Sequence, residues 1–279
     1  MSARRAALGF LIAAGALAVV AGFATANLKT RSDRTTIGPG KNGTATAKCP
    51  RGSEAVSGGF ATPHFDPGFN GRSVLPLTSK RTHGRKWKTR GYNFSDHGRG
   101  KLFSFAYCDT HQPGLQVRSK HERLRAGDPG SATAKCPRGS EAVSGGFASP
   151  DATAEGAAVF AFTSKRVSHR RWKVSAYNND QTDSQRLVAF AFCDKHEPGL
   201  RAESKQVMIP LARKRLVTVN CPHGRNEVFG GFAATVDTDG AGPFVFTSKR
   251  SKVRGRDWEA AAAGNGAGTH PFKVFVYCK

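Results

Sequence analysis

The sequence has two Met and nine His in 279 residues, and its six Cys include no C-x-x-C pair. A zinc or other metal-rich site is therefore not expected, and no cofactor is implied. H-E-x-x-H, G-x-S-x-G and the phosphate-binding P-loop are all missing, which removes the usual signatures of metalloproteases, serine hydrolases and nucleotide hydrolases. Acidic residues are scarce: 20 Asp and Glu stand against 43 Lys and Arg, for a formal net charge of +23. Helical periodicity is also lacking beyond the first residues. The nearest candidate, Arg201 to Arg215, is interrupted by Pro210, which removes an amide donor and clashes inside a helix. Hydrophobic residues nonetheless make up 38%, with 19 Phe, enough to build packed cores and to exclude wholesale disorder.

The one long apolar run lies at the start. Arg4 and Arg5 precede an uncharged stretch from Ala6 to Phe23, and Ala24-Thr25-Ala26 follows as an A-x-A pattern. This predicts a secretory signal over residues 1–26, with Asn27 opening the mature chain. The competing reading is an uncleaved anchor, since the run approaches a membrane-spanning length; its small residues and the A-x-A site favour cleavage. No Cys stands near Ala26 to suit lipid attachment. Removing the two signal arginines leaves a net charge of +21. Export permits disulfides and predicts a secreted, extracellular or envelope-associated location.

The rest of the chain repeats. Cys49-Pro50-Arg51-Gly52-Ser53-Glu54-Ala55-Val56-Ser57-Gly58-Gly59-Phe60-Ala61 recurs unchanged as Cys136 to Ala148, and in altered form from Cys221 to Ala233. Thr78-Ser79-Lys80-Arg81 recurs at Thr163 to Arg166 and at Thr247 to Arg250; Trp87, Trp172 and Trp258 follow, one per copy. Each copy ends on an aromatic run and a Cys, at Cys108, Cys193 and Cys278, and each opens on a Leu, at Leu28, Leu115 and Leu200. The copies tile the chain as modules 27–114, 115–199 and 200–279.

Each module reads as β. Leu187 to Cys193 places Val188, Phe190 and Phe192 on one side and Leu187, Ala189, Ala191 and Cys193 on the other. Ala132, Ala134 and Cys136 alternate with Thr133 and Lys135, and Gly58-Gly59 suits a bulge or a close backbone approach. The expectation is an all-β chain of three homologous sheet or sandwich modules with five or six short strands each. Six Cys allow 15 pairings. The economical one joins the two Cys of each module: Cys49–Cys108, Cys136–Cys193 and Cys221–Cys278. The modules could be strung as beads or packed about a pseudo-threefold axis, and connections as short as Asp194 to Leu200 favour packing.

The pattern C-P-x-G-x-x-x-V-x-G-G-F, then a Trp strand, then a Tyr/Phe-Ala-x-Cys end, resembles a repeat of secreted proteins from high-GC Gram-positive bacteria. That family has no established activity, and the resemblance spans essentially all of the chain after residue 26. It implies an extracellular bacterial protein and transfers no catalytic residue. The third copy departs from the pattern: Ala263 stands where Tyr92 and Tyr177 stand in the others.

The positive charge is concentrated. Lys80, Arg81, Arg85, Lys86, Lys88 and Arg90 lie between Ser79 and Arg90. Lys165, Arg166, Arg170, Arg171 and Lys173 lie between Ser164 and Ser175, and Lys249, Arg250, Lys252, Arg254 and Arg256 between Ser248 and Glu259. The expectation is one cationic hairpin per module, with Lys88 and Arg90 on the face opposite Trp87. Cations beside aromatics suit a polyanion such as cell-wall polymer, nonspecifically bound nucleic acid or an anionic surface, and three hairpins could add avidity. The expected function is therefore non-catalytic binding of anionic polymers. Two readings compete with it. One is a structural envelope or spore-surface protein whose Lys residues only blunt sheet edges, with the tryptophans as core. The other, less favoured, is a secreted hydrolase, for which no catalytic residue stands out; the D-x-H pair, Asp109 with His111 and Asp194 with His196, could be weighed for a metal or acid/base role but is absent from the third copy.

Overall fold

The computed structural model describes residues 28–68, 71–111, 113–153, 156–196, 198–237, 240–251, 256–266 and 268–279. The expected signal segment, Lys252 and Arg254 lie outside the described residues. The fold is all-β. The first module supplies β1 (Lys29–Ile37), β2 (Asn42–Lys48), β3 (Glu54–Ala61), β4 (Val74–His83), β5 (Lys86–Asn93) and β6 (Gly100–Asp109). The second supplies β7 (Gln116–Leu124), β8 (Pro129–Lys135), β9 (Glu141–Ala148), β10 (Val159–Ser168), β11 (Arg171–Asn178) and β12 (Gln185–Asp194). The third supplies β13 (Arg201–Pro210), β14 (Lys214–Asn220), β15 (Glu227–Ala234), β16 (Gly242–Arg250), β17 (Asp257–Asn265) and β18 (Thr269–Cys278).

The repeats do not fold as beads. Three six-stranded sheets form, in the orders β1-β6-β3-β16-β17-β14, β13-β18-β15-β10-β11-β8 and β2-β5-β4-β9-β12-β7. Every sheet takes three strands from one module and three from another. The seams are short and equivalent: Ser79 pairs with Phe147, Ser164 with Phe232, and Ser248 with Phe60. The third seam joins the last module to the first, so the ring closes as a three-sided prism. Each disulfide stays inside its module: Cys49–Cys108, Cys136–Cys193 and Cys221–Cys278.

The repeated Gly-Gly-Phe explains how the sheets meet. A Cβ on Gly58, Gly145 or Gly230 would lie 2.1–2.2 Å from the indole of Trp87, Trp172 or Trp258 of the same module. A Cβ on Gly59, Gly146 or Gly231 would lie 2.3–2.6 Å from the carbonyl oxygen of Ser248, Ser79 or Ser164 of a neighbouring module. The first glycine admits the module's own tryptophan; the second admits the partner strand. The Phe that follows then meets its two counterparts: Phe60, Phe147 and Phe232 are 5.9, 6.2 and 6.4 Å apart, all edge to face, the arrangement that aromatic quadrupoles favour.

A threefold arrangement leaves room for one large side chain at its centre. Ser57 and Ser144 are small, and the third copy puts Phe229 at that position. The Phe229 ring lies 6.4, 5.1 and 5.0 Å from those of Trp87, Trp172 and Trp258. All three tryptophans are buried. Each indole N–H donates to a serine of the preceding strand, Ser79, Ser164 or Ser248, which satisfies the one polar atom that their burial removes from water.

Candidate functional site

β4 and β5 form the expected hairpin, with Lys80 opposite Lys88 and Arg81 opposite Trp87. Directly opposed residues share a face of a sheet, so Arg81 lies on the tryptophan side and Lys80 and Lys88 on the other. The second module repeats this with Lys165 opposite Lys173 and Arg166 opposite Trp172. The third puts Lys249 opposite Glu259 and Arg250 opposite Trp258.

This register sorts the fourteen expected cationic residues that lie among the described residues into different roles. Arg81, Arg166 and Arg250 are drawn inward and form ion pairs with Glu54, Glu141 and Glu227. Each also donates to the carbonyl of the leucine that opens the next module: Arg81 to Leu115, Arg166 to Leu200 and Arg250 to Leu28. The amides of Gly114 and Leu115 bond Glu54, and those of Gly199 and Leu200 bond Glu141. These arginines are ring-closing groups on the tryptophan side of the sheets, bridging one module to the next. No corresponding amide pair reaches Glu227 among the described residues. Burial pushes its carboxyl up to about 7, against the opposing pull of Arg250.

The next basic residues tie down the hairpin turns. Arg85 donates to the carbonyl of Cys49, and Arg170 to those of Cys136 and Pro137. Arg90 donates across the module boundary to the carbonyl of Ala152. Lys86 is half-buried, while Arg171 and Arg256 are exposed.

What faces outward is a row of lysines with an aromatic from the neighbouring module. The Lys80 ammonium stands 4.7 Å from the Phe190 centroid, and Lys165 stands 5.2 Å from Phe275, with Lys273 at 5.4 Å from the same ring. Partial burial, then the nearby Lys88, holds the Lys80 pKa below its ordinary value. Partial burial, then Lys273 and Lys173, does the same for Lys165. No carboxylate pairs with Lys80, Lys88, Lys165 or Lys173 among the described residues. The third sheet differs. Lys249 lies 5.8 Å from Phe105, but Glu259 is its ion-pair partner. Two of the three faces thus carry an unneutralised lysine pair, and the third is internally balanced. Glu259 was visible in the sequence; its place opposite Lys249 was not, because that depends on the strand register.

A second feature was missed by sequence reasoning altogether. After β3, β9 and β15 the chain crosses onto a neighbouring module. Gly156 packs on Tyr92, and Gly240 packs on Tyr177. Beside the Gly240 crossing, residues of all three modules line a cavity of about 420 Å³. Phe94, Phe160, Tyr177 and Phe244 supply its aromatic walls, and Asn179, Gln181 and Asn265 supply amides. Among the described residues no charged side chain lines it.

The D-x-H pairs are local turns. The Asp109 carboxylate accepts from the His111 amide at 2.8 Å and lies 2.9 Å from Nδ1 of the same histidine; Asp194 and His196 repeat this at 2.9 Å each. Lys279 holds the equivalent position in the third module. Its ammonium feels Asp194, Asp109 and Glu141, although burial dominates and lowers its pKa. No group of three His, Cys, Asp or Glu is placed to hold a metal ion among the described residues. No helix among them is long and apolar enough to cross a membrane. No family model matches the chain, and no curated protein matches it.

Proposed function

We propose that the protein is an exported, non-catalytic binder of anionic polymers, and that the polymer lies on the two sheet faces carrying Lys80 with Lys88 and Lys165 with Lys173. The observation that carries this reading is the uncompensated like-charge pair. Directly opposed like charges on a sheet are destabilising, and the third module shows the same scaffold with that repulsion relieved by Glu259. A phosphate or sulfate group between two such lysines would supply the missing counter-charge, and Phe190 or Phe275 beside them offers an apolar contact. The three disulfides suit an oxidising compartment, in keeping with the expected export signal.

The test is binding to heparin and to a random-sequence DNA duplex across a range of ionic strength. Counter-ion release makes log K fall linearly with log salt. Replacing Lys88 and Lys173 by Glu copies the third module's arrangement onto the other two faces and should flatten the slope by about 2, roughly 1 per phosphate-contacting lysine. An unchanged slope in a folded variant, or no binding of the wild-type chain at low salt, would sink the proposal.

A further inference from the structure

The aromatic cavity carries an inference that is independent of the lysine faces. We infer that it is a binding site for a neutral sugar ring, the terminal or side-branch pyranose of a glycan. Three observations point there.

The first is electrostatic. The chain carries a net charge of +23, yet among the described residues no charged side chain lines this cavity. A site for a phosphate, sulfate or carboxylate would be expected to present at least one of the abundant cations. The ligand that fits such a lining carries no charge.

The second is the division of the lining by chemistry. Aromatic rings form the walls and amides the remainder. Asn179 is committed to the fold: its Oδ1 accepts from the Ala158 amide at 2.7 Å, and its Nδ2 faces the Gly156 carbonyl at 3.4 Å. Asn265 is half-buried, and Gln181 is exposed at the rim. A pyranose has one face of C–H groups that lies on an aromatic ring, and an edge of hydroxyls that both donate and accept. A side-chain amide also does both. A fatty acyl chain would cover the half-buried Asn265 amide without offering it a partner, and a purely polar solute would not use the rings. The volume of about 420 Å³ falls in the range of small-molecule sites, roughly 300–1,000 Å³.

The third is asymmetry. Leu75, Phe160 and Phe244 occupy equivalent positions, as do Phe94, Asn179 and Asn265. Elsewhere the first two repeats share thirteen unchanged residues, Cys49 to Ala61 and Cys136 to Ala148, and the third keeps an altered form of that run. Around this cavity they diverge, so that one module gives ring and amide (Tyr177, Asn179), another a ring alone (Phe94), and the third ring and amide again (Phe244, Asn265). A purely structural plug could use the same residue three times. A site for one asymmetric ligand could not.

The experiment is ligand-observed saturation-transfer NMR and calorimetry on the full chain. The probes are methyl α-glucopyranoside, methyl β-galactopyranoside and N-acetylglucosamine, with methyl glucuronide and hexanol as charged and purely apolar controls. At least one neutral sugar should bind with a Kd of about 1–10 mM, the range of a single-ring contact at about −3 to −4 kcal/mol. Its affinity should be insensitive to salt, unlike that of the polyanions. Phe94→Ala and Asn265→Leu should each weaken it about tenfold or more, the loss usual for a central aromatic or a buried hydrogen bond. Because Phe94 packs among core rings, Gln181→Ala at the exposed rim provides a second variant whose folding is safe; it should weaken the same sugar several-fold. The inference is overturned if no neutral sugar binds the folded wild-type chain at about 50 mM, well above that Kd range. It is equally overturned if hexanol or methyl glucuronide outcompetes every neutral sugar, or if binding survives both Asn265→Leu and Gln181→Ala. Heparin binding by the same samples is scored separately, so loss of one activity is distinguishable from loss of the other.

Discussion

Phe229 lies 5.0 Å from Trp258, and its ring is also in contact range of the two other repeat tryptophans. One residue of one repeat thereby completes a centre that all three share. Phe229→Ala should cost about 3–5 kcal/mol, the usual range for a buried Phe deleted from a core that cannot collapse, and should lower cooperativity as well as the midpoint of chemical denaturation. Ser144→Phe should be worse, since a second ring would have to enter the same space. A Phe229→Ala midpoint within about 0.3 M of wild type in urea would contradict the central role, since even at a slope of about 3 kcal/mol/M the smallest expected loss moves it by about 1 M.

Gly146 tests the seam between modules. An added methyl would sit 2.4 Å from the Ser79 carbonyl oxygen and 3.2 Å from Lys80 Cα, and backbone on both sides cannot yield without breaking the pairing. Gly146→Ala should therefore destabilise by about 3 kcal/mol or more. Gly84→Ala, where the nearest atom is the Arg81 guanidinium at 3.5 Å, an ordinary van der Waals distance, should stay within about 0.5 kcal/mol of wild type. Amide exchange should localise the Gly146 damage to β4 and β9.

These two sites show what could be read in advance. The period-two alternation, the Cys pairs and the buried tryptophans were legible because each is a local pattern or a count within one repeat. Gly-Gly announced a close approach, but not that its second glycine faces another module. The arginines of Thr-Ser-Lys-Arg looked like surface charge because sequence shows neither the bulge-adjusted strand register nor that the glutamate about 25 residues upstream would face them. The cavity was illegible for a related reason. Its lining is drawn from three repeats at positions where they differ, and only the closure of the ring brings Phe94, Tyr177 and Phe244 together.

Lys88→Glu separates stability from function. In the first module it recreates the Lys249–Glu259 pairing at the Lys80 position. Removing a directly opposed like charge and adding an opposite one should stabilise by about 0.5–1 kcal/mol, the cross-strand range discounted for partial exposure. The same variant should bind heparin more weakly. A gain in melting temperature together with a loss of binding is the signature of charge retained for a ligand; a loss of both would indicate that Lys88 is structural.

Glu227 predicts a pH dependence. Burial raises its carboxyl to about 7 in the folded chain, against about 4.3 when unfolded. Between these values the native state holds more protons than the unfolded state, so stability falls as pH rises through that window. Melting temperature should therefore drop by a few degrees between pH 5 and pH 8, net of the other titrating groups. Glu227→Gln keeps an acceptor for Arg250 and should flatten the curve between those limits. Equal slopes for the variant and the wild type would remove Glu227 from the account.

The third module lacks the tyrosine of the other two, with Ala263 in its place. Tyr92 and Tyr177 are each met by a glycine of the crossing segment, Gly156 and Gly240. Ala263 has no ring to offer, and the segment after β3 brings Phe65 instead, buried in the same cluster as Ala263 and stacked on Phe246 at 4.7 Å and 7°. Lys214, which lies opposite Ala263 in the sheet, donates to the Phe65 carbonyl at 2.8 Å. The aromatic lost from one side of the interface has thus been supplied from the other. Phe65→Ala should cost about 3–5 kcal/mol through the cavity it leaves. Ala263→Tyr alone should also destabilise, because the new ring meets Phe65. The two together should lose less than the sum of the singles, with a coupling of about 1–3 kcal/mol, as expected for residues that share one space. Additive losses in a denaturation-based double-mutant cycle would show that Phe65 and the residue at 263 do not compete for that volume.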